Sequence, residues 1–301
     1  MNGVRAAAIV LGIAAMLVAP AARASDLIGL APRQATLEVH GGRALVGWRE
    51  GGVERHVLVW GAVNARTPGS GLPQVRFRHD YRPAWRRFDD QCRPYAGPPL
   101  AYLVAACTAP DGSYWALQSW QRNLPHRGVA PWTAEQAAAD LRVSHWTGPL
   151  ARVELYTDWA FGGQAHDIFG RLTYDGQPVH GFHTTPAGAP IDSYGRSAYI
   201  DTFDSAYGPG WRRETSVVFR KPTGAFCYSF WPTRDASLPG APARPAGNGA
   251  RYRISVVGPG VTPDVVAEAA DPGPYDAAAE RVRDALFTRV TAGDKFCATQ
   301  H

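Results

Sequence analysis

A chain of 301 residues with 45% hydrophobic and only 19% charged residues is not a disordered one, and its length suits one large domain or two small ones. The formal charge is +5, but Arg5 and Arg23 lie in a leader; taking them from the 31 basic residues leaves 29 against 26 acidic. That near balance, with no five-residue run of Arg or Lys, argues against a nucleic-acid partner.

The leader spans residues 1–24. Arg5 supplies a positive start, Ala6 to Ala19 is almost wholly apolar, and Ala22-Arg23-Ala24 offers small residues for cleavage. The run is too short for a permanent membrane span, and no later stretch is long or apolar enough. No cysteine follows the cleavage point, and the C-terminus has no apolar tail, so neither a lipid anchor nor a terminal membrane anchor is indicated. The expected location is secreted or extracytoplasmic, in an oxidising space.

Strands are predicted next. Thr36 to His40 alternates apolar and polar residues, Gly41-Gly42 turns the chain, and Arg43 to Trp48 returns. His56 to Val63 is nearly all apolar, like a strand covered on both faces. Val75 to His79 alternates. Ala101 to Ala106 and Ser113 to Trp120 flank an Asp111-Gly112 turn and predict a hairpin. Thr133 and Gln136 form a capping box, which predicts a short helix over 134–141.

Further strands are expected at Val153 to Trp159, Phe169 to Tyr174, Val179 to Thr184, Ala198 to Phe203, Thr215 to Arg220 and Ala225 to Phe230. In the last, Phe226, Tyr228 and Phe230 share one face and Cys227 takes the other. Residues 234–250 form a Pro/Ala/Gly-rich connector. Arg251 to Val257 is one more strand. Ala278, Val282, Ala285, Leu286 and Val290 then form an apolar stripe at the helical period, ended by Gly293.

The four cysteines are Cys92, Cys107, Cys227 and Cys297, and an even number in an exported chain argues for disulfides. Three pairings are possible; sequence order favours Cys92–Cys107 and Cys227–Cys297. The first closes a loop of about 15 residues, a stabilisation of roughly 3 kcal/mol. The second pins the C-terminus to the body. With no C-x-x-C pair and no close Cys/His spacing, zinc on cysteine is not expected.

The expected fold is mainly β, a two-layer antiparallel body with short helices and a C-terminal helix, with α+β as the alternative. The body covers 25–233, the connector 234–250, and a strand plus the C-terminal helix 251–301.

The segments Ser144-His145-Trp146, Asp192 to Arg196, Asp201-Thr202, Tyr207 to Trp211 and Phe226-Cys227-Tyr228, with the block Ala106 to Leu117, resemble a family of exported proteins from high-GC bacteria. The resemblance covers most of the chain after the leader. It implies secretion and a globular fold, and no mechanism.

Polar residues crowd between Asp158 and Tyr207. Asp158, His166, His180, His183, Asp192 and Asp201 are the candidates for a secreted hydrolase, metal-assisted through His180-Gly-Phe-His183. On a strand, however, residues three apart point to opposite faces, so no metal ligand set is assigned. No G-x-S-x-G elbow occurs, and no cysteine stands in a Ser/Thr-His-Gly-Cys context. Glu154, Asp158, Asp201 and Glu214 could supply paired carboxylates, but linear spacing does not choose among them. No cofactor is expected.

Ten tryptophans and twelve tyrosines point elsewhere. Trp115, Trp120, Trp146, Trp159 and Trp211 lie near turns or strand ends, where ring faces stack on sugars. The leading expectation is a non-catalytic exported protein that binds an envelope or extracellular ligand, a carbohydrate among them, on an aromatic face. The competing use of these rings is to fill a core.

Overall fold

The computed structural model describes residues 25–30, 32–65, 74–82, 88–121, 138–180, 198–231, 233–234, 243–244 and 247–299. Its first half holds β1 (Asp26–Leu30), β2 (Arg33–His40), β3 (Arg43–Glu50), β4 (Val53–Trp60), β5 (Arg78–Asp80), β6 (Arg93–Pro94), β7 (Leu103–Thr108), β8 (Tyr114–Gln121) and β9 (Ala139–Trp146). They form two antiparallel sheets, ordered β2-β3-β4-β5 and β1-β9-β8-β7-β6. Alternation decides what lies between them. Ala44, Val46 and Trp48 of β3 and Val57 and Val59 of β4 face Trp115 and Leu117 of β8 and Leu141 and Val143 of β9.

The second half holds β10 (Arg152–Ala160), β11 (Ala165–Tyr174), β12 (Gln177–Pro178), β13 (Ala198–Ser205), β14 (Gly208–Val217), β15 (Ala225–Ser229), β16 (Thr233–Arg234), β17 (Ala243–Arg244), β18 (Arg251–Val256) and β19 (Val265–Ala270). Its sheets are β10-β11-β12, with β15 also on β11, and β14-β13-β18-β19; β16 and β17 pair separately. Ile168, Leu172, Phe226 and Phe230 of one sheet pack on Ile200, Tyr252, Ile254 and Val256 of the other. Helix α1 (Ala277–Thr291) and the short α2 (Lys295–Ala298) close the chain.

Each sandwich has the expected two layers, and the described residues form two of them. They stack through the β8–β9 sheet and the β13–β18 sheet. Trp120 meets Tyr199 edge to face at 5.9 Å, and Tyr102 Oη lies 3.2 Å from Ser255 Oγ. This seam is polar as well as aromatic, because the strand residues that alternate with the core side chains point into it. Gln118 brackets the Asp264 backbone, donating to its carbonyl at 2.9 Å and accepting from its N–H at 2.8 Å.

Several expectations are corrected. Residues 139–141, expected in a helix, belong to β9; Leu141 and Val143 supply core alternation that overrides the capping signal. Ala138 is not helical, and 134–137 lie outside the described residues. Of His56 to Val63, expected to be covered on both faces, Val57 to Val59 and Ala62 are buried, while His56, Gly61 and Val63 are exposed. Val179 and His180 follow β12 and are not strand, while 181–184 lie outside the described residues. Strand Arg251–Val256 lies inside the second sandwich, paired with β13 as Asp201↔Arg253 and Ile200↔Ile254.

The C-terminal helix is present; Leu286 and Val290 of its expected stripe pack on the body, while Ala278, Val282 and Ala285 are exposed. Val282 is 73% exposed, and the helix rests on Phe287 and Val290 near its end. Phe287 meets Phe169 at 5.0 Å. Both expected disulfides form, Cys92–Cys107 and Cys227–Cys297. Phe226 and Phe230 face the sandwich interior while Cys227 faces the helix, as alternation requires.

One buried histidine links this fold to pH. His145 stacks on Trp115 at 3.8 Å, and its Nδ1–H donates to the Ala62 carbonyl at 2.5 Å. Burial pushes its pKa down from 6.5 to about 4. The folded value is the depressed one, so the neutral ring's contribution is complete above the unfolded value and is lost as pH falls from 6.5 towards 4. The expected loss is about 3 kcal/mol. Urea midpoints across that range check it, and a His145→Gln variant should show a shallower fall.

Candidate functional site

The polar residues expected to converge are dispersed by the sheets. In the β10–β11 pair, Asp158 stands opposite Asp167 and Trp159 opposite His166, so Asp158 and His166 point to opposite faces. Asp158 is buried under α1, where its Oδ1 lies 3.6 Å from an Arg283 guanidinium nitrogen and accepts the Trp159 N–H at 2.8 Å. His166 points into the sandwich and contacts the Tyr252 hydroxyl through Nδ1; burial lowers its pKa. Nearby, the buried Glu214 accepts hydrogen bonds from Tyr228 at 3.0 Å and Tyr207 at 3.3 Å.

Asp201 lies on a third surface, in the seam between the sandwiches. Its register neighbours are Arg213 and Arg253, and they hold it at 2.5 and 2.9 Å. Burial works to raise the Asp201 carboxyl, but the two guanidinium groups outweigh it and hold the group below the usual carboxylate range. His180 is half-buried where the described residues break off, and His183 and Asp192 lie outside them. Among the described residues no group of three His, Cys, Asp or Glu side chains could hold a metal ion.

The tryptophans divide in a similar way. Trp115 and Trp146 are wholly buried, and Trp120 nearly so with its Nε1–H on Asp264 at 2.7 Å. These three are core and seam residues, and the expectation that they line a ligand face is corrected. Trp159 is fixed by its Nε1–H to the Gly273 carbonyl at 2.9 Å. Trp211 is half-buried like Trp159, with Arg253 at 4.2 Å and Arg251 at 5.3 Å from its ring centre and Phe203 at 5.2 Å.

A concavity lies at the far end of the first sandwich, around the β3–β4 hairpin. Gly51 and Gly52 both take positive φ in its two-residue turn. A cleft of about 430 Å³ is lined by Trp48, Glu50, Glu54, Arg55, His56 and Tyr81. A second hollow of about 290 Å³ shares Trp48, Glu54 and His56 and adds Gln34, Thr36, Gly47 and Arg49. Gly47 makes the second hollow. A Cβ there would stand 2.8 Å from Thr36 Oγ1 and 3.2 Å from the His56 ring.

The side chains are held in place. Trp48 Nε1–H donates to Glu50 Oε2 at 3.0 Å, and Glu54 Oε1 lies 3.6 Å from His56 Nε2. Tyr81 is 58% exposed and stacks on His79, whose Nε2 lies 2.8 Å from Asp26 Oδ2. Carboxylates, a guanidinium, an imidazole and a phenol ring thus share one groove. Such a set exchanges hydrogen bonds with a polyhydroxylated ligand and offers a ring face to its C–H surface.

None of these residues is among those expected from the sequence to form a site. The available signal was the polar set Arg49, Glu54 and His56 beside a Gly-Gly turn, in strands otherwise rich in valine and leucine. No family model matches the chain, and neither the curated proteins nor the solved structures contain a match to it.

Proposed function

We propose that the chain is an exported, non-catalytic binding protein whose groove at the β3–β4 hairpin takes an uncharged oligosaccharide. One observation carries the reading: two adjoining hollows share Trp48, Glu54 and His56 and mix hydrogen-bonding side chains with an exposed tyrosine. Charges of both signs in the groove favour a neutral polyol over a polyanion. Export is supported by the leader pattern and by two disulfides. No helix among the described residues is long and apolar enough to cross a membrane.

The test is titration of the purified mature protein with soluble oligosaccharides of cellulose, xylan and chitin, read by calorimetry. Tyr81→Ala and Glu54→Gln should each weaken binding at least about tenfold, or ~1.4 kcal/mol, with unchanged melting. Silence across the panel at millimolar ligand would remove the reading, as would binding indifferent to both substitutions.

A further inference from the structure

Ser25, the residue before β1, is buried where the two sandwiches meet. Its Oγ donates to Asp264 Oδ1, and its carbonyl accepts from an Arg142 guanidinium nitrogen at 2.9 Å. Asp264 belongs to the other sandwich, 239 residues along the chain. Its carboxylate also accepts from the Gly258 N–H at 2.9 Å and Trp120 Nε1–H at 2.7 Å, both uncharged donors. Arg142 forms a buried ion pair with it, Nε standing 3.8 Å from Oδ2, and shares its single charge with the buried Asp140 at 3.7 Å. One buried guanidinium between two buried carboxylates leaves the cluster a positive charge short, which is a costly arrangement.

Ser25 is also the residue that follows Ala22-Arg23-Ala24. While the leader is attached, its nitrogen is a neutral amide. Hydrolysis of the Ala24–Ser25 bond by a leader peptidase puts the water hydroxyl on the Ala24 carbonyl and the water proton on the Ser25 nitrogen. That amine then takes one more proton from solvent. Covalent geometry keeps a serine nitrogen within about 4 Å of its own Oγ, and this Oγ touches Asp264.

We propose that leader removal creates at Ser25 an ammonium that pairs with Asp264 and tightens the junction of the two sandwiches, so that maturation and final assembly are one event. The proposal rests on the export reading, with cleavage after Ala24. Chain secreted with its own leader is therefore first weighed intact. A mass that does not begin at Ser25 overturns the export reading itself.

The Ser25 form is then compared with a form carrying one added alanine in front, each with and without Asp264→Asn. The extension should lower Tm by ~3–6 °C in the natural background and by nothing in the Asp264→Asn background. The α-amine of the Ser25 form, followed by acylation rate against pH, should titrate at least one unit above the ordinary range of about 7.7–8.0. Equal melting of the two forms, a penalty that persists in the Asp264→Asn background, or an amine titrating in the ordinary range would each overturn the proposal. If Asp264→Asn does not fold, the amine titration decides alone.

Discussion

Replacing Asp201 by alanine should cost about 3–5 kcal/mol, the largest single-site loss outside the hydrophobic core. Asp201 is 1% exposed and lies between two guanidinium groups, one of them equally buried. Removing the carboxylate leaves Arg213 and Arg253 facing each other in the seam without the negative charge between them. Asp201→Asn keeps the shape and loses the charge, so it should fall between alanine and the natural residue. Urea midpoints measure the series. A double variant, Asp201→Leu with Arg213→Met, should lose clearly less than Asp201→Ala, because most of the penalty is an unmatched charge. Loss below about 1 kcal/mol for Asp201→Ala, the range of a solvated ion pair, would show that the seam is wet.

Acid should reveal the same pair separately from His145. The Asp201 carboxyl is depressed in the fold, so its contribution is present above the ordinary value of 3.8 and is lost on acidification below it. His145 acts earlier, between 6.5 and about 4. The stability profile should therefore descend in two stages, and Asp201→Asn should erase only the lower.

Opening the Cys227–Cys297 bridge, through Cys227→Ala with Cys297→Ala, should cost about 4 kcal/mol by the chain-entropy relation for a long closed loop. The residues it joins are 70 apart, and the loop between them contains β18, β19 and α1. The shift in Tm should be on the order of 10 °C. Scanning calorimetry with and without reductant checks it. Cys92–Cys107 closes only 15 residues, so its removal should cost less, about 3 kcal/mol. Equal shifts for the two bridges would show that strain or residual structure, not loop length, sets their worth.

Local pattern made the strand-rich class and both bridges readable. Phe226, Cys227 and Tyr228 announce by alternation which side meets a core and which meets the helix, and the structure follows them. The missed elements fail for identifiable reasons. The capping signal at Thr133 and Gln136 predicts a helix running to Leu141, yet the sandwich needs Leu141 and Val143 as inward strand residues. Strand Val265–Ala270 has almost no period-two contrast, and only its pairing with Arg251–Val256 defines it.

The site was harder to read, because density of polar residues along the chain is not convergence in space. Asp158, His166 and Asp201 lie on three different faces, each occupied by a structural partner. Trp115, Trp120 and Trp146 looked like ring faces for a ligand and fill the interior and the seam. The groove at Trp48 and Tyr81 joins residues from two strands and the segment beyond β5, and no window of sequence contains it.

The bracket that Gln118 throws around Asp264 joins positions 146 residues apart, and β13 waits for β18 as its inner neighbour. A ribosome or translocon releases such a chain front first, yet its early half cannot finish until the last fifth has emerged. Completion is therefore expected to be slow and all at once, with the partial product exposed to proteases in the meantime. A C-terminal truncation before Arg251 should yield degradation fragments, and no surviving front half.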